Sequence, residues 1–199
     1  KAELKALYSQ INPHFLFNVL NTIASFVRID PNKAREVIID LSTYLRYNIE
    51  NSMKFVPLEQ ELEQVKAFVA IESARFGNKI KVHYEIEEKA LESEIPSLSI
   101  QPLVENSIIH GLLPKRQGGN IWISAKVKEE GTRIVIQDDG VGISESVIHS
   151  LEEEIGSSIG LKNVHHRLKL IYGKGLLVER LSEGTKISFW IYRQEVEKR

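Results

Sequence analysis

The sequence predicts an α+β fold: an N-terminal antiparallel helical hairpin, then a sheet with helices on one face. Three observations carry this expectation. Over the first 76 or so residues, apolar side chains recur at spacings of three to five. From residue 79 the apolar spacing changes to two. Gly77-Asn78 falls between the two patterns and divides the chain into units 1–77 and 78–199.

The elements follow in order. Leu4, Leu7, Ile11, Phe15, Leu20, Ile23 and Val27 form a first amphipathic stripe. Asp30-Pro31 ends it and starts the next, because Asp caps a helix and Pro suits its first position. Ala34, Val37, Ile38, Leu41, Leu45 and Ile49 form the second stripe, and the short joint between the two makes them antiparallel neighbours. The pattern lapses after Asn51-Ser52. It resumes past Pro57 with Leu58, Leu62, Val65, Phe68, Val69 and Phe76, and Gly77 is the stop. Ile80, Val82, Tyr84 and Ile86 then alternate with polar residues, as a half-buried strand does. Ile121, Ile123, Ala125 and Val127 alternate again, and a turn at Glu130-Gly131 leads into a return strand over 133–137. Two last strands are expected over 176–181 and 186–192, joined through Gly184. Helices are expected near 98–113 and 160–172, with a short one near 144–153.

Composition narrows the function. The chain has 199 residues, enough for one large domain or two small ones. Lys and Arg number 26 and Asp and Glu 27, a net charge of -1, so there is no bulk attraction to nucleic acid or to an anionic membrane. The absence of cysteine excludes disulfides, zinc–thiolate sites, iron–sulfur clusters and cysteine nucleophiles. No apolar run approaches the roughly 18 residues of a membrane span, and no signal-peptide pattern is present. The chain starts at Lys1 inside a helical pattern, so it is expected to be a piece of a longer protein.

One constellation lies in the helical part. Pro13 sits within the run Gln10-Ile11-Asn12-Pro13-His14-Phe15-Leu16-Phe17-Asn18. An interior proline costs a helix about 3 kcal/mol and kinks it. Gln10, His14, Asn18, Asn21 and Ser25 share one face that is polar yet uncharged, which suits a docking surface. A neutral imidazole there can attack a phosphoryl group. The alternative is that Asn12 caps and Pro13 starts a helix, with His14 incidental.

The second part carries three short motifs. In Gln101-Pro102-Leu103-Val104-Glu105-Asn106-Ser107-Ile108-Ile109-His110-Gly111, the Asn106 carbonyl is a hard oxygen suited to magnesium. Asp138-Asp139-Gly140-Val141-Gly142 follows a strand. Asp138 can accept a hydrogen bond from an exocyclic amine such as that of adenine, and Gly140 and Gly142 let backbone approach a planar base. Gly156-Ser157-Ser158-Ile159-Gly160-Leu161-Lys162-Asn163 opens a helix, whose first amides suit phosphate. Each alone is weakly specific, and each has a merely structural alternative. Their order and spacing together are far more specific.

With these motifs in place, nearly the whole chain resembles bacterial sensor histidine kinases of the LytS/YehU type. The run from Gln10 to Asn18 is similar to that family's phosphoacceptor motif, which implies His14 as the phosphorylated residue. Glu105 to Gly111 resembles its N box, implying Asn106 as magnesium ligand and His110 near the nucleotide. Asp138 to Gly142 resembles the first glycine box, with Asp138 as the adenine acid; Gly156 to Leu161 resembles the second, and Gly184-Thr185 the last. The resemblance implies a phosphotransfer hairpin, a four-helix bundle in a homodimer, and a linking helix over about 51–76. It then implies a GHKL (Bergerat) α/β sandwich with a mixed sheet. It implies ATP and Mg2+ as cofactors, autophosphorylation on His14, and transfer to an aspartate of a response-regulator receiver domain. Asn18, one turn after His14, would orient water for dephosphorylating that partner. The implied location is the cytoplasmic portion of an inner or plasma membrane sensor, with membrane contact only through upstream segments.

Three positions depart from the family pattern. Ile109 stands where related kinases often carry Lys, Ser158 where the second glycine box carries Gly, and Phe15 where other subfamilies place an acidic general base after the phosphoacceptor. The base is therefore unassigned. Two alternatives remain. A GHKL ATPase needs a water-activating carboxylate four residues before the magnesium Asn, a position held here by Pro102. A non-catalytic nucleotide-binding dimeric module is the other. Trp122 and Trp190 are expected in the core or on a sheet face, His165-His166 at the surface, and Lys115-Arg116 in a solvated turn. Asn163 and Arg167 share a helical face and are expected near the phosphates or lid. The last residues, 195–199, are expected to fray.

Overall fold

Two helices open the part of the chain described by a computed structural model, which covers residues 13–51, 54–151 and 159–192. Helix α1 spans Pro13–Ile29 and helix α2 spans Pro31–Glu50. The joint between them is the one the sequence predicts: Pro31 takes the first helical position and the Asp30 carboxylate accepts from the Lys33 backbone N–H at 3.0 Å. Such a cap contributes about 1 kcal/mol. Whether Pro13 starts or kinks its helix falls on residues before 13, outside the described part.

Strand β1 (Phe55–Pro57) leads directly into helix α3 (Leu58–Phe76), which Gly77 ends at φ 65°. Phe15 of α1, Tyr44 of α2 and Phe68 of α3 meet with ring centroids 5.0, 5.6 and 6.1 Å apart. Burying each of these side chains contributes about 1.5–3 kcal/mol, so the hairpin is fastened to α3 through its aromatics.

Strand β2 (Ile80–Ile86), β3 (Glu94–Pro96), β4 (Gly119–Lys128), β5 (Gly131–Asp138), β6 (Leu177–Arg180) and β7 (Thr185–Tyr192) complete the strands. Five of them form a mixed sheet in the order β2-β4-β5-β7-β6. β2 runs parallel to β4, and every other pair is antiparallel. Alternation puts Ile121, Ile123, Ala125, Ile134, Ile136, Ile187, Phe189 and Ile191 on the buried face. The other face carries His83 stacked on Trp122, and Arg133 over Trp190. The tryptophans thus occupy a sheet face, as expected.

Helix α4 spans Gln101–Asn106 and continues as a π-helical stretch over Ser107–Leu112. Helix α5 covers Glu145–Ser150, and helix α6 is described over Ile159–Tyr172. The core is continuous from Phe15 to Ile191. Sequence patterning missed one pairing: β1 lies antiparallel to β3, with Val56 opposite Ile95. Just beyond β3, Leu98 adopts φ 55°. A non-glycine residue in that region costs about 1–3 kcal/mol and persists only where its surroundings hold it.

Candidate functional site

The C-terminal end of β5 delivers Asp138 to a buried point, 3% exposed. One carboxylate oxygen accepts from the Ser107 hydroxyl at 3.0 Å and the other from the Gly140 N–H at 2.9 Å. Burial pushes the Asp138 carboxyl above its ordinary value, and hydrogen bonds from Gly140, Ser107 and the Thr185 backbone oppose that rise. A carboxylate has about four acceptor positions, so one remains for a further donor. The Asp138 carboxylate is thus a desolvated, neutrally partnered acceptor, which fits an exocyclic amine.

Glycines let backbone close around it. A Cβ on Gly140 would lie 2.5 Å from the Gly111 carbonyl oxygen, and the Val141 N–H donates to that same carbonyl at 3.0 Å. Gly184, at φ 85°, presses so closely that a Cβ would stand 1.8 Å from the Asp138 carbonyl oxygen. Only glycine suits that contact and that φ. Gly142 lies beside Gly184, and Thr185 pairs with Asp138 across β5 and β7. Asp138, Gly140, Gly142 and Thr185 therefore gather at one end of the sheet, against the π-helical stretch of α4.

That stretch has a functional look of its own. A π-helical turn inside an α-helix is rare and marks functional sites. Its Ser107 and Gly111 touch Asp138, while Asn106, half-buried, ends the α-helical part and His110 is exposed. Gly160 meets Pro102, which brings the described start of α6 to the first turn of α4. Leu161 is buried in the core and Asn163 is exposed. Gly156 and Ser158 lie outside the described residues.

The histidine pair stands on α1. His14 is exposed, and the Asn18 side-chain nitrogen lies 3.2 Å from its Nδ1 and 3.5 Å from its Nε2. The next residue, Phe15, turns inward onto Tyr44, whose hydroxyl accepts from Gln101 of α4 at 3.4 Å. Burial, with the Glu105 carboxylate nearby, pushes the Tyr44 phenol up to about 12. Glu105 is itself raised by burial and by Glu72, which is ion-paired with Arg75.

Other expectations change. Arg167 is engaged by the turn before α4: its Nη2 donates to the Leu98 carbonyl at 2.8 Å and to the Ser99 hydroxyl at 3.1 Å. His165 is half-buried rather than simply at the surface, packs over Gly175, and accepts from the Leu176 N–H at 3.2 Å. Lys115 is not merely solvated, since its ammonium donates to the Asp139 carbonyl. Sequence reasoning missed Ser107 as the partner of Asp138, although it directly follows Asn106 on an otherwise apolar run. It also missed Glu61 and Tyr47, which bond to each other in the interior. A hollow of about 490 Å³ lined by Phe55, Glu94, Thr132, Tyr172 and Tyr192 holds none of the predicted site residues. It lies by the start of β5, roughly 20 Å from Asp138 at about 3.3 Å per residue.

Comparison with known proteins places the chain in a family. Residues 2–80 match the histidine kinase family, and residues 96–195 match the histidine kinase-, DNA gyrase B-, and HSP90-like ATPase family. The chain is 51% identical over 197 residues to sensor histidine kinase YpdA of Escherichia coli, covering 98% of this chain and 35% of that protein. It is 38% identical over 208 residues to sensor histidine kinase/phosphatase LytS of Staphylococcus aureus, with the same coverage of 98% and 35%. The chain thus spans about a third of the length of these curated relatives. Among solved structures, it resembles in fold the kinase domain of the blue-light activated histidine kinase of Erythrobacter litoralis EL346. There the TM-score is 0.56 at 16% identity, over 96% of this chain and 91% of that one. The histidine kinase ThkA in complex with response regulator TrrA gives a TM-score of 0.54 at 17% identity, over 99% of this chain and 63% of that one.

Proposed function

This chain belongs to the sensor histidine kinases of the LytS/YehU type, and on that premise we propose that it transfers the γ-phosphoryl group of ATP to His14 and then to an aspartate of a response-regulator receiver domain. The single observation that carries the nucleotide half is the buried Asp138 carboxylate, walled by Gly111, Gly140 and Gly184.

In this reading Asp138 accepts from the adenine amine, and Gly140 and Gly142 admit the flat base. Thr185 and His110 border the nucleotide. Backbone around Gly156, Gly160 and Leu161, with Asn163 nearby, holds the phosphates. Asn106 offers one neutral hard oxygen. That donor set fits magnesium, which keeps several waters and phosphate oxygens rather than a protein cage. Bound there, magnesium would offset phosphate charge. The His14 imidazole attacks the γ-phosphorus in line, forming the N–P bond as the bond to the β,γ-bridging oxygen breaks and ADP departs. The chain's contribution is chiefly positioning, because the transition state is loose.

The proposal includes a homodimer. Phe17 (67% exposed), Leu20, Val27, Ile38, Ile39 and Ile49 leave an apolar surface on the α1–α2 hairpin, and a four-helix bundle with a second copy would cover it. It includes the division into units 1–77 and 78–199, with α3 as the link between them. It includes a place on the cytoplasmic side of a membrane sensor; no helix among the described residues is long and apolar enough to cross a membrane.

Incubation with γ-labelled ATP and magnesium tests this reading. Acid-labile, alkali-stable label that is lost in His14→Ala supports the kinase. Steady phosphate release without label supports a GHKL ATPase, and neither supports a non-catalytic module. Pro102, where an ATPase needs its carboxylate, favours the first outcome.

A further inference from the structure

We propose that Tyr47 and Glu61 are positioning residues that couple the helical hairpin to the nucleotide-binding helix α4 through the turn at 97–100. Glu61 of α3 is fully buried, 0% exposed. One of its carboxylate oxygens accepts from the Ile100 N–H at 2.9 Å. The other accepts from the Leu98 N–H at 2.9 Å and from the Tyr47 hydroxyl of α2. Leu98 is the residue at φ 55°, and α4 begins three residues later at Gln101. From the opposite side, Arg167 of α6 donates to the Leu98 carbonyl and the Ser99 hydroxyl. Both peptide groups of the strained residue are therefore held, one from the hairpin side and one from the helix that follows the second glycine box.

A buried carboxyl group with three donors has little freedom to move alone, since losing any partner leaves a buried polar group unsatisfied. Displacement of α2 carries Tyr47, then Glu61, then the turn that sets where Asn106 and Ser107 lie. Tyr44, one turn before Tyr47, adds a second link through its hydroxyl to Gln101. The coupling is reciprocal, so nucleotide at α4 biases the end of α2 as much as α2 biases the nucleotide site.

The coupling rests on the nucleotide-binding half of the reading above, and the rate prediction on its kinase half. Hydrogen–deuterium exchange of the whole chain, with and without a non-hydrolysable ATP analogue, tests the coupling. In the wild type the analogue slows exchange over 43–50 as well as over 98–112. In Tyr47→Phe the protection of 43–50 falls about fivefold or more while that of 98–112 stays. Glu61→Gln, which keeps volume but sets an amide N–H against the backbone donors of the turn, lowers the protection of 43–50 by a comparable factor and disturbs 98–112 as well. For phosphorylation of His14, Tyr47→Phe changes kcat about fivefold or more and leaves KM for ATP within about twofold. Equal nucleotide-dependent protection of 43–50 in wild type and Tyr47→Phe, or a wild type protected over 98–112 but not over 43–50, overturns the proposal; no protection over 98–112 overturns the nucleotide reading instead. A wild type that takes no label on His14 overturns the kinase reading instead, and the exchange measurement still decides the coupling.

Discussion

Asn18 places its side-chain nitrogen 3.2 Å from Nδ1 of His14, one helical turn earlier on the same exposed face of α1. Their neighbour Phe15 is locked into the core against Tyr44. The pair is thus presented to solvent on a helix whose rotation is fixed from within. Asn18→Ala removes a polar group beside the imidazole without touching the nucleotide site. The expected outcome is about tenfold slower dephosphorylation of a phosphorylated receiver domain, the effect of losing one hydrogen bond of about 1.4 kcal/mol. ATP affinity should be unchanged. Timed loss of label from the receiver measures this, and an unchanged rate removes Asn18 from that role.

Asp138 gives two pH trends of opposite sign. Its folded value is raised above the ordinary 3.8, so the folded state holds the proton more tightly than the unfolded chain does. The resulting stability is full below pH 3.8 and is lost as pH rises through the raised value. Asp138→Asn removes this titration, so its thermal midpoint should exceed that of the wild type at neutral pH and converge with it in acid. Nucleotide affinity runs the other way, because the ionised carboxylate is the acceptor. Wild-type ATP affinity should fall as pH drops through the raised value, and Asp138→Asn should bind at least about tenfold more weakly at neutral pH, a loss of about 1.5–3 kcal/mol. Calorimetry across pH measures both.

Gly184→Ala tests the backbone cradle. Its Cβ would collide with the Asp138 carbonyl oxygen at a φ that side chains avoid. We expect a stability loss of about 2 kcal/mol or more and loss of nucleotide binding, read by denaturant titration and by a fluorescent ATP analogue.

Phe17→Glu tests the hairpin's second copy. Phe17 is 67% exposed, so the change costs the single chain little. Buried in a four-helix bundle, it would cost several kcal/mol. Sedimentation equilibrium should show a dimer for the wild type and a monomer for the variant.

Local rules made much of this fold legible. Asp30-Pro31 and Gly77 mark helix ends by backbone chemistry alone, and each works as those residues dictate. The period of two located β2 and β4 because one sheet face is solvated, and the turns at Glu130-Gly131 and Gly184 placed β5, β6 and β7. The β1–β3 pair escaped notice because three-residue strands leave no period to detect. The partners of Arg167 were not legible because a helical face says nothing of the loop it meets, here at Leu98. Glu61 had left a trace. It falls at the position between Leu58, Leu62 and Val65 where the apolar stripe calls for a hydrophobe, and a charge there signals a buried acceptor. Its partners, 37 and 39 residues away, follow only from the fold.

The most direct measurement is mass spectrometry of the peptide carrying His14 after incubation with ATP and magnesium, kept at neutral to alkaline pH. One added phosphoryl group is expected on His14, absent in Asp138→Asn at limiting ATP. A phosphoryl group on another residue, or none while ATP is consumed, would contradict the kinase reading.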